Sequence, residues 1–403
     1  MAYRLQAPGS LADLHARRRS SRFALRKTLS QITTIERHRV CGRYPLKNGR
    51  VQVRLAGDDY PVAHYARVQL CGHIWTCPVC SPRIRQKRAA EVDQAAATWL
   101  THHGAGTVLL LTLTLPHDAG ERLTVVLAAV RRAFSALVAG RAWQEDKARF
   151  HLAFNIKAHD LTVGPNGWHP HLHVLLFALR PLDADAIAAL RARLFTRWGA
   201  AVSELDRRAP SWEHGVTLEA ARGRQDLTRY VCQVVTDADG EDGPDVAMEV
   251  ARGDLKSSRH HGHRSPWQLL EDYAKTRTLR DRQLFQEYER ATFGVRAIRW
   301  SKGLRAAVEL GVELTDQQIV MEEIGGQVLY EFTPREWKGF RDARGFFGPS
   351  AAAELLEQAE LGGAAGIRAY LAALAQRATV DRLDRIPYFG LSPGSRSRAA
   401  LVA

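Results

Sequence analysis

The chain has 403 residues, which is more than a single hydrophobic core normally holds, so two or three domains are expected. Lysine and arginine number 57 against 43 aspartate and glutamate residues, and the net charge of +14 favours an anionic partner such as a nucleic acid. No apolar run approaches the ~20 residues that a membrane span needs, so the sequence argues against a membrane protein and predicts a cytoplasmic one.

Positive charge is concentrated in two places near the start of the chain. The first is predicted to be a basic arm over residues 1–35, which includes Arg17, Arg18 and Arg19. The second lies at the start of a helix and consists of Arg83, Arg85, Lys87 and Arg88. Charge runs are usually solvated surface, but the net positive charge favours a nucleic-acid partner, and both groups are expected to contact its phosphates.

Four of the five cysteines precede residue 81. Cys77 and Cys80 form a Cys-x-x-Cys pair, Cys71 lies shortly before it, and Cys41 precedes a glycine. Disulfides are the alternative, but the sequence shows no hydrophobic leader toward an oxidising compartment. We therefore predict that these four cysteines hold a structural Zn²⁺, with His73 able to replace Cys41.

Further along the chain, strand-like and helix-like segments alternate. A strand over 107–116 precedes a helix over about 121–140, two strands, a helix over about 183–201 and a strand over 215–220. This order predicts an antiparallel sheet with helices on one face, an α+β fold.

The two middle strands carry the most informative pattern of the sequence. His169, His171 and His173 stand at every second position, which places all three on one face of a strand. The preceding segment, 154–163, is joined to them by the turn formers of residues 164–167, so a β-hairpin is predicted. Folding about the turn sets Asp160 opposite His171, whereas a one-residue bulge would set His159 there. Two imidazoles and a carboxylate favour a divalent metal over a packed core.

The sequence Trp-His-Pro-His-Leu-His-Val-Leu at residues 168–175 resembles the histidine motif of the HUH endonucleases, and within that superfamily the motif of the rolling-circle replication initiators of bacterial plasmids. The resemblance implies that His171 and His173 bind Mg²⁺ or Mn²⁺ and that Asp160 takes the place of a third ligand. That ligand is usually glutamate. Asp160 has the same negative charge, but its shorter side chain extends less far toward the metal. His169 is predicted to be an additional ligand or a DNA contact.

A nucleophile is expected on a short amphipathic helix over residues 226–235. The resemblance implies that Tyr230 attacks the phosphodiester and retains the 5′ end as a phosphotyrosine. The family usually places a lysine three residues later, where this chain has Gln233. Asp226, one helical turn before Tyr230, resembles a carboxylate that activates water in some relatives, although an N-cap is the alternative role.

Other segments extend the resemblance. Residues 112–114 match the Thr-Leu-Thr run of the family's first motif, which implies a central strand, and residues 264–270 and 298–305 match further motifs. The predicted organisation after the basic arm is a zinc module over 36–90, an HUH endonuclease domain over 91–275 and a mostly helical C-terminal region over 276–403.

The resemblance implies an initiator that nicks one strand at the plasmid's double-strand origin and leaves a 3′-OH primer. Its implied partners are origin DNA, both double-stranded and as a single-stranded hairpin, and the host helicase and replication machinery. The second cleavage of a replication round would use either water activated by Asp226 or Tyr230 of a second subunit in a homodimer. The alternatives are an HUH transposase or relaxase, and a zinc DNA-binding protein with an inactive nuclease site.

Overall fold

A computed structural model of the protein describes residues 11–47, 49–57, 61–104, 106–221, 262–342 and 351–383. Tyr230, Asp226, Gln233 and the rest of the predicted nucleophile helix lie outside the described residues. The described chain combines two antiparallel sheets with helices, which confirms the predicted α+β class.

The larger sheet has five strands in the order β6-β3-β5-β4-β7, and every neighbouring pair is antiparallel. The strands are β3 (Thr107–Leu113), β4 (Leu152–Gly164), β5 (Gly167–Ala178), β6 (Val216–Ala220) and β7 (Ile298–Trp300). The Thr-Leu-Thr segment thus begins inside β3, between β6 and β5, in the central position that the resemblance implied.

One face of this sheet is covered by three helices: α4 (Leu123–Leu137), α5 (Gly140–Arg149) and α6 (Ala184–Ser203). Leu109, Leu111 and Leu113 alternate along β3 toward this layer and are at most 2% exposed. Trp198 of α6 is fully buried in the same core. The residue before α6, Asp183, begins the helix by accepting a hydrogen bond from the backbone nitrogen of Ala186 at 2.8 Å.

The histidine face is covered in part by α3 (Cys80–His102), which the prediction of helices on one face did not include. The Trp99 ring of α3 packs at 5.6 Å from that of Phe177, and its indole nitrogen donates to the Ala178 carbonyl at 3.1 Å. Because Phe177 and His173 share a face of β5, α3 covers the end of this face beyond the histidines.

The smaller sheet has three strands in the order β2-β1-β8, formed by β1 (Gln52–Ala56), β2 (Val62–Ala66) and β8 (Gln327–Glu331). The core beside it contains Val53, Phe332 and Trp337, together with residues of α11 (Pro334–Asp342) and α12 (Ala351–Leu383). Since β8 pairs with β1, a strand of the predicted zinc module and a strand of the predicted C-terminal region share this sheet.

The predicted basic arm is instead a helix, α1 (Leu11–Ile32), followed by the short α2 (Glu36–Arg39). Leu25, Leu29 and Ile32 are buried in the main core, and α1 packs against both α12 and α7 (Pro266–Thr276). Apolar residues at helical spacing hold this segment against the protein, so the arm assignment was wrong.

The remaining helices are α8 (Leu279–Thr292), α9 (Leu304–Ala307) and α10 (Asp316–Met321), and each contributes buried residues to the main core. Within the described ranges no single helix has the length and apolar character to cross a membrane, while the bent pair of α4 and α5 meets those two criteria together.

Candidate functional site

The histidine hairpin forms as the sequence predicts, with β4 ending at Gly164 and β5 beginning at Gly167. Gly167 adopts a φ of 84°, a left-handed conformation that glycine adopts without strain. Asp160 pairs with His171 and Thr162 with His169, so the predicted register is confirmed. His159 pairs with Leu172 on the opposite face, which rules out the bulged alternative.

On the histidine face, two of the predicted ligands, His173 and Asp160, lie close together. Their Nε2 and Oδ2 atoms are 3.9 Å apart, and the residues are 7% and 8% exposed. That distance is too long for a hydrogen bond, but it allows both atoms to bind one ion at about 2.0–2.2 Å each. The donor types therefore fit a divalent ion.

The third predicted ligand, His171, has its ring centroid 6.1 Å from that of His173. Among the described residues, the only group of three or more potential ligands whose donor atoms all lie within 4.8 Å of one another is the cysteine cluster. The structure thus brings Asp160 and His173 together and leaves His171 beside them, and the three-residue ligand set remains a prediction.

A threonine supports His173 from the neighbouring strand. Thr112 of β3 pairs directly with His173, and its Oγ1 lies 3.0 Å from the His173 Nδ1 atom. The Nδ1 contact leaves Nε2, the other ring nitrogen, on the side of Asp160.

Sequence reasoning missed a further histidine at the hairpin end of this face. His117, in the loop after β3, contacts the His169 Nδ1 atom through its Nε2, and its own Nδ1 lies 2.9 Å from the Asn166 carbonyl oxygen. A carbonyl only accepts, so His117 donates from Nδ1. Burial lowers the pKa of His117. A lone histidine beside a proline carries no local pattern, and only the folded hairpin reveals this contact.

His159 belongs to a different environment on the other face. It is 5% exposed, and burial, followed by the charges of Lys157, Arg131 and Arg299, lowers its pKa to about 3. The imidazole is therefore neutral at physiological pH.

The four predicted zinc ligands form one buried cluster, with each cysteine at most 5% exposed. The Sγ atom of Cys41 lies 3.7 Å from that of Cys77 and 3.6 Å from that of Cys80, and Cys71 and Cys80 are 3.7 Å apart. Ligands at 2.3 Å around a tetrahedral zinc are about 3.8 Å apart, so the observed spacing fits a Zn²⁺ ion and is far from a disulfide bond.

Two local features shape this cluster. Gly42 and Gly72 directly follow two of the cysteines and have φ values of 70° and 62°, which turn the chain around the sulfurs. Arg26 of α1 is buried nearby. Burial lowers its pKa, whereas the sulfurs of Cys41 and Cys77 act in the opposite direction. A buried guanidinium offsets part of the negative charge that four thiolates bring.

His73 does not replace Cys41, because all four sulfurs are already together. Its Nδ1 lies 3.1 Å from the Thr76 Oγ1, and its ring stands at 4.5 Å from that of His38. Burial lowers the pKa of His73 to about 4. His73 is therefore a neutral packing residue beside the cluster.

The structure corrects several of the predicted DNA contacts. Arg18, Arg19, Arg85 and Arg88 are at most 9% exposed. Arg19 forms a bidentate ion pair with Glu360. The guanidinium nitrogens of Arg88 lie 3.1 Å from a carboxylate oxygen of Glu91 and 3.1 Å from one of Asp316.

Arg83 is half-buried and donates to the Glu322 carbonyl. Guanidiniums that are buried and paired in this way are not available to phosphates, and loss of one would leave its carboxylate partner without a counter-charge. Of the predicted basic contacts, Arg17 and Lys87 are exposed.

Comparisons with known proteins agree with the likeness to replication proteins that the hairpin sequence shows. Residues 63–180, which include β3, β4 and β5, match the family model described as Replication protein. The protein is 31% identical to "Protein rep" of Streptomyces lividans, over 60% of this chain and 64% of that protein.

Two further relatives match shorter stretches. "Neomycin resistance protein" of Streptomyces cyanogenus is 33% identical over 26% of this chain and 30% of its own length. "Protein rep" of Lentilactobacillus hilgardii is 25% identical over 38% and 47%. No solved structure matches significantly. The chain thus spans less than two thirds of each of these relatives, and the likeness to replication proteins is carried by residues 63–180 and by the match to "Protein rep" of Streptomyces lividans.

Proposed function

We propose that the protein initiates rolling-circle replication of a bacterial plasmid by nicking one strand of origin DNA. The observation that carries this proposal is strand β5, which lies within the replication-protein match and presents His171 and His173 on the same face as Asp160. The relatives named as replication proteins support the biological setting, the bacterial cytoplasm in which plasmids replicate.

In this proposal Tyr230 is the nucleophile. Its phenolic oxygen forms a bond to phosphorus while the bond from phosphorus to the 3′ oxygen breaks. The phenol gives up its proton to a base or to water, and the 3′ oxygen takes up a proton. The strand then carries a free 3′-OH, which a host polymerase extends while a host helicase unwinds the duplex. The phosphotyrosine conserves the bond energy for resealing.

His171, His173 and Asp160 would hold a divalent ion such as Mg²⁺ or Mn²⁺. When bound, such an ion offsets the negative charge that develops on the phosphate. The position of Asp160 opposite His171, and its 3.9 Å separation from His173, support this assignment.

Two of the described tyrosines use their hydroxyl groups in structural hydrogen bonds. Tyr288 is buried and donates to the Trp75 carbonyl at 3.0 Å, and burial raises its pKa. Tyr65 is half-buried and donates to the Ala352 carbonyl at 2.9 Å, and burial raises the pKa of its hydroxyl group as well. Tyr273 of α7 is only partly buried, which makes it the appropriate control.

The test is a nicking assay on supercoiled plasmid that carries the DNA beside the gene, with Mn²⁺ added and products separated in denaturant. Wild-type protein is expected to give nicked plasmid and a covalent protein-DNA adduct. Tyr230→Phe should lose both, with DNA binding within a few-fold because one oxygen carries the chemistry and little of the affinity. Tyr273→Phe should behave as wild type.

An adduct formed by Tyr230→Phe would contradict the assignment of the nucleophile. No nicking by wild-type protein with either Mg²⁺ or Mn²⁺ would favour a zinc-containing DNA-binding protein with an inactive nuclease. A transposase or relaxase would also nick, so autonomous replication of a plasmid whose sole initiator gene is this one separates the biological roles.

A further inference from the structure

The contact between Thr112 and His173 joins two neighbouring strands at the predicted metal site. Antiparallel pairing sets the two residues directly opposite each other, and the Oγ1 atom of Thr112 is 3.0 Å from the Nδ1 atom of His173. The second ring nitrogen of His173, Nε2, lies 3.9 Å from Asp160 Oδ2. The two nitrogens of one ring therefore face a hydroxyl and a carboxylate.

An imidazole that binds a metal through Nε2 must carry its proton on Nδ1. A threonine hydroxyl can accept a hydrogen bond from that proton, and the acceptance fixes both the tautomer and the rotation of the ring. Valine has nearly the same shape as threonine and lacks the acceptor, so the hydroxyl is the part of Thr112 that this role requires.

We propose that Thr112 is a positioning residue that accepts the Nδ1 proton of His173 and thereby directs Nε2 toward the divalent ion. This inference rests on the proposed function, because it takes His173 as a ligand of that ion. It gives the central Thr-Leu-Thr strand a chemical role in addition to its place in the sheet.

The sheet supplies a matched control on the next strand. Thr217 of β6 pairs directly with Thr112, so it lies on the same face, and both residues are half-buried. In the described part of the chain Thr217 makes no side-chain hydrogen bond to a histidine. Thr112→Val and Thr217→Val thus remove the same hydroxyl from neighbouring positions, and only the first removes a contact with His173.

The experiment measures Mn²⁺ affinity of the full chain without DNA, from the electron paramagnetic resonance signal of free Mn²⁺ during titration. Loss of an outer partner of a ligating histidine typically weakens metal affinity about 10- to 100-fold, and this loss is expected for Thr112→Val. Thr112→Ser, which retains the hydroxyl, should restore affinity to within a few-fold of wild type. Thr217→Val should be unchanged, and His173→Ala should lose the site.

Nicking provides a second measurement. If Thr112 acts through His173, Thr112→Val should need correspondingly more Mn²⁺ for half-maximal nicking and should regain most of its rate when Mn²⁺ is saturating. Circular dichroism checks that each variant folds.

The outcomes separate this inference from the proposed function. Mn²⁺ affinity in Thr112→Val equal to that of wild type would overturn the role of Thr112 alone. Failure of Thr112→Ser to restore affinity, or an equal loss in Thr217→Val, would show that the hydroxyl contact is not the cause and would also overturn it. Wild-type protein that binds no Mn²⁺ at this face would overturn both the metal site and the positioning role.

Discussion

Replacing Cys41 by serine tests the cysteine cluster most directly. Structural zinc sites contribute apparent binding free energies of about 10–16 kcal/mol. With four equivalent buried thiolates, one ligand accounts for roughly a quarter of this, about 2.5–4 kcal/mol, which corresponds to about 10²- to 10³-fold weaker zinc binding. Because Cys41 is 1% exposed and shares its core with Trp75 and Ile84, loss of zinc should also lower the melting temperature.

The assay is competition with a chromogenic chelator on protein purified without chelator, combined with metal analysis. Wild-type protein should contain about one zinc per chain, and Cys41→Ser should release it at far lower chelator concentration. His73→Gln is the matched control: the residue lies beside the cluster and contacts Thr76, and it should retain zinc as tightly as wild type. Equal retention by Cys41→Ser and wild type, or loss of zinc in His73→Gln, would refute the four-cysteine assignment.

Two further predictions concern charge. Lys87→Ala should lower the slope of log DNA affinity against log salt by about 1. Arg88→Ala should destabilise the protein by about 1–3 kcal/mol, because buried Glu91 would keep only Arg305 and half-buried Asp316 would lose its guanidinium partner. A reversal of these effects in filter-binding and urea-unfolding measurements would contradict the burial argument. Burial lowers the pKa of Lys157 to about 8, so its charge opposes folding most below pH 8 and progressively less as pH rises to about 10.4, where the unfolded side chain also loses its proton. Lys157→Met should therefore stabilise the protein by about 1 kcal/mol at pH 7, after allowance for partial exposure of the side chain, and should give no stabilisation near pH 10.5. Thermal melts at several pH values measure this, and a stabilisation that does not change with pH would count against the reasoning.

The hairpin was predictable because all the information that determines it is local. Turn residues 164–167 set the register, and a period of two set the face, so Asp160 and His171 could be paired from the sequence alone. The spacing of Cys77 and Cys80 carried the zinc prediction in the same way, and the structure brings Cys41 and Cys71 to them.

The basic residues were misjudged because their partners are remote in sequence. Arg19 meets Glu360 across 341 positions, and Arg88 meets Asp316 across 228. A charge run looks the same in sequence whether it faces solvent or is buried in ion pairs. The contact of His117 with His169 was missed for the same reason, since it depends on how the loop after β3 folds over the hairpin.

The pairing of β8 with β1 has a consequence for how the protein can be made and shortened. Gln52 and Glu331 are hydrogen-bonded partners separated by 279 positions. During synthesis, β1 therefore cannot pair with β8 until more than 270 further residues have been added to the chain. A fragment ending near residue 320 would keep every described strand of the larger, five-stranded sheet. It would also leave one edge of β1 unpaired and remove Phe332 and Trp337 from the adjoining core, creating a template for aggregation. We therefore expect soluble truncations to retain residues through α12 or to remove β1 and β2 together with β8.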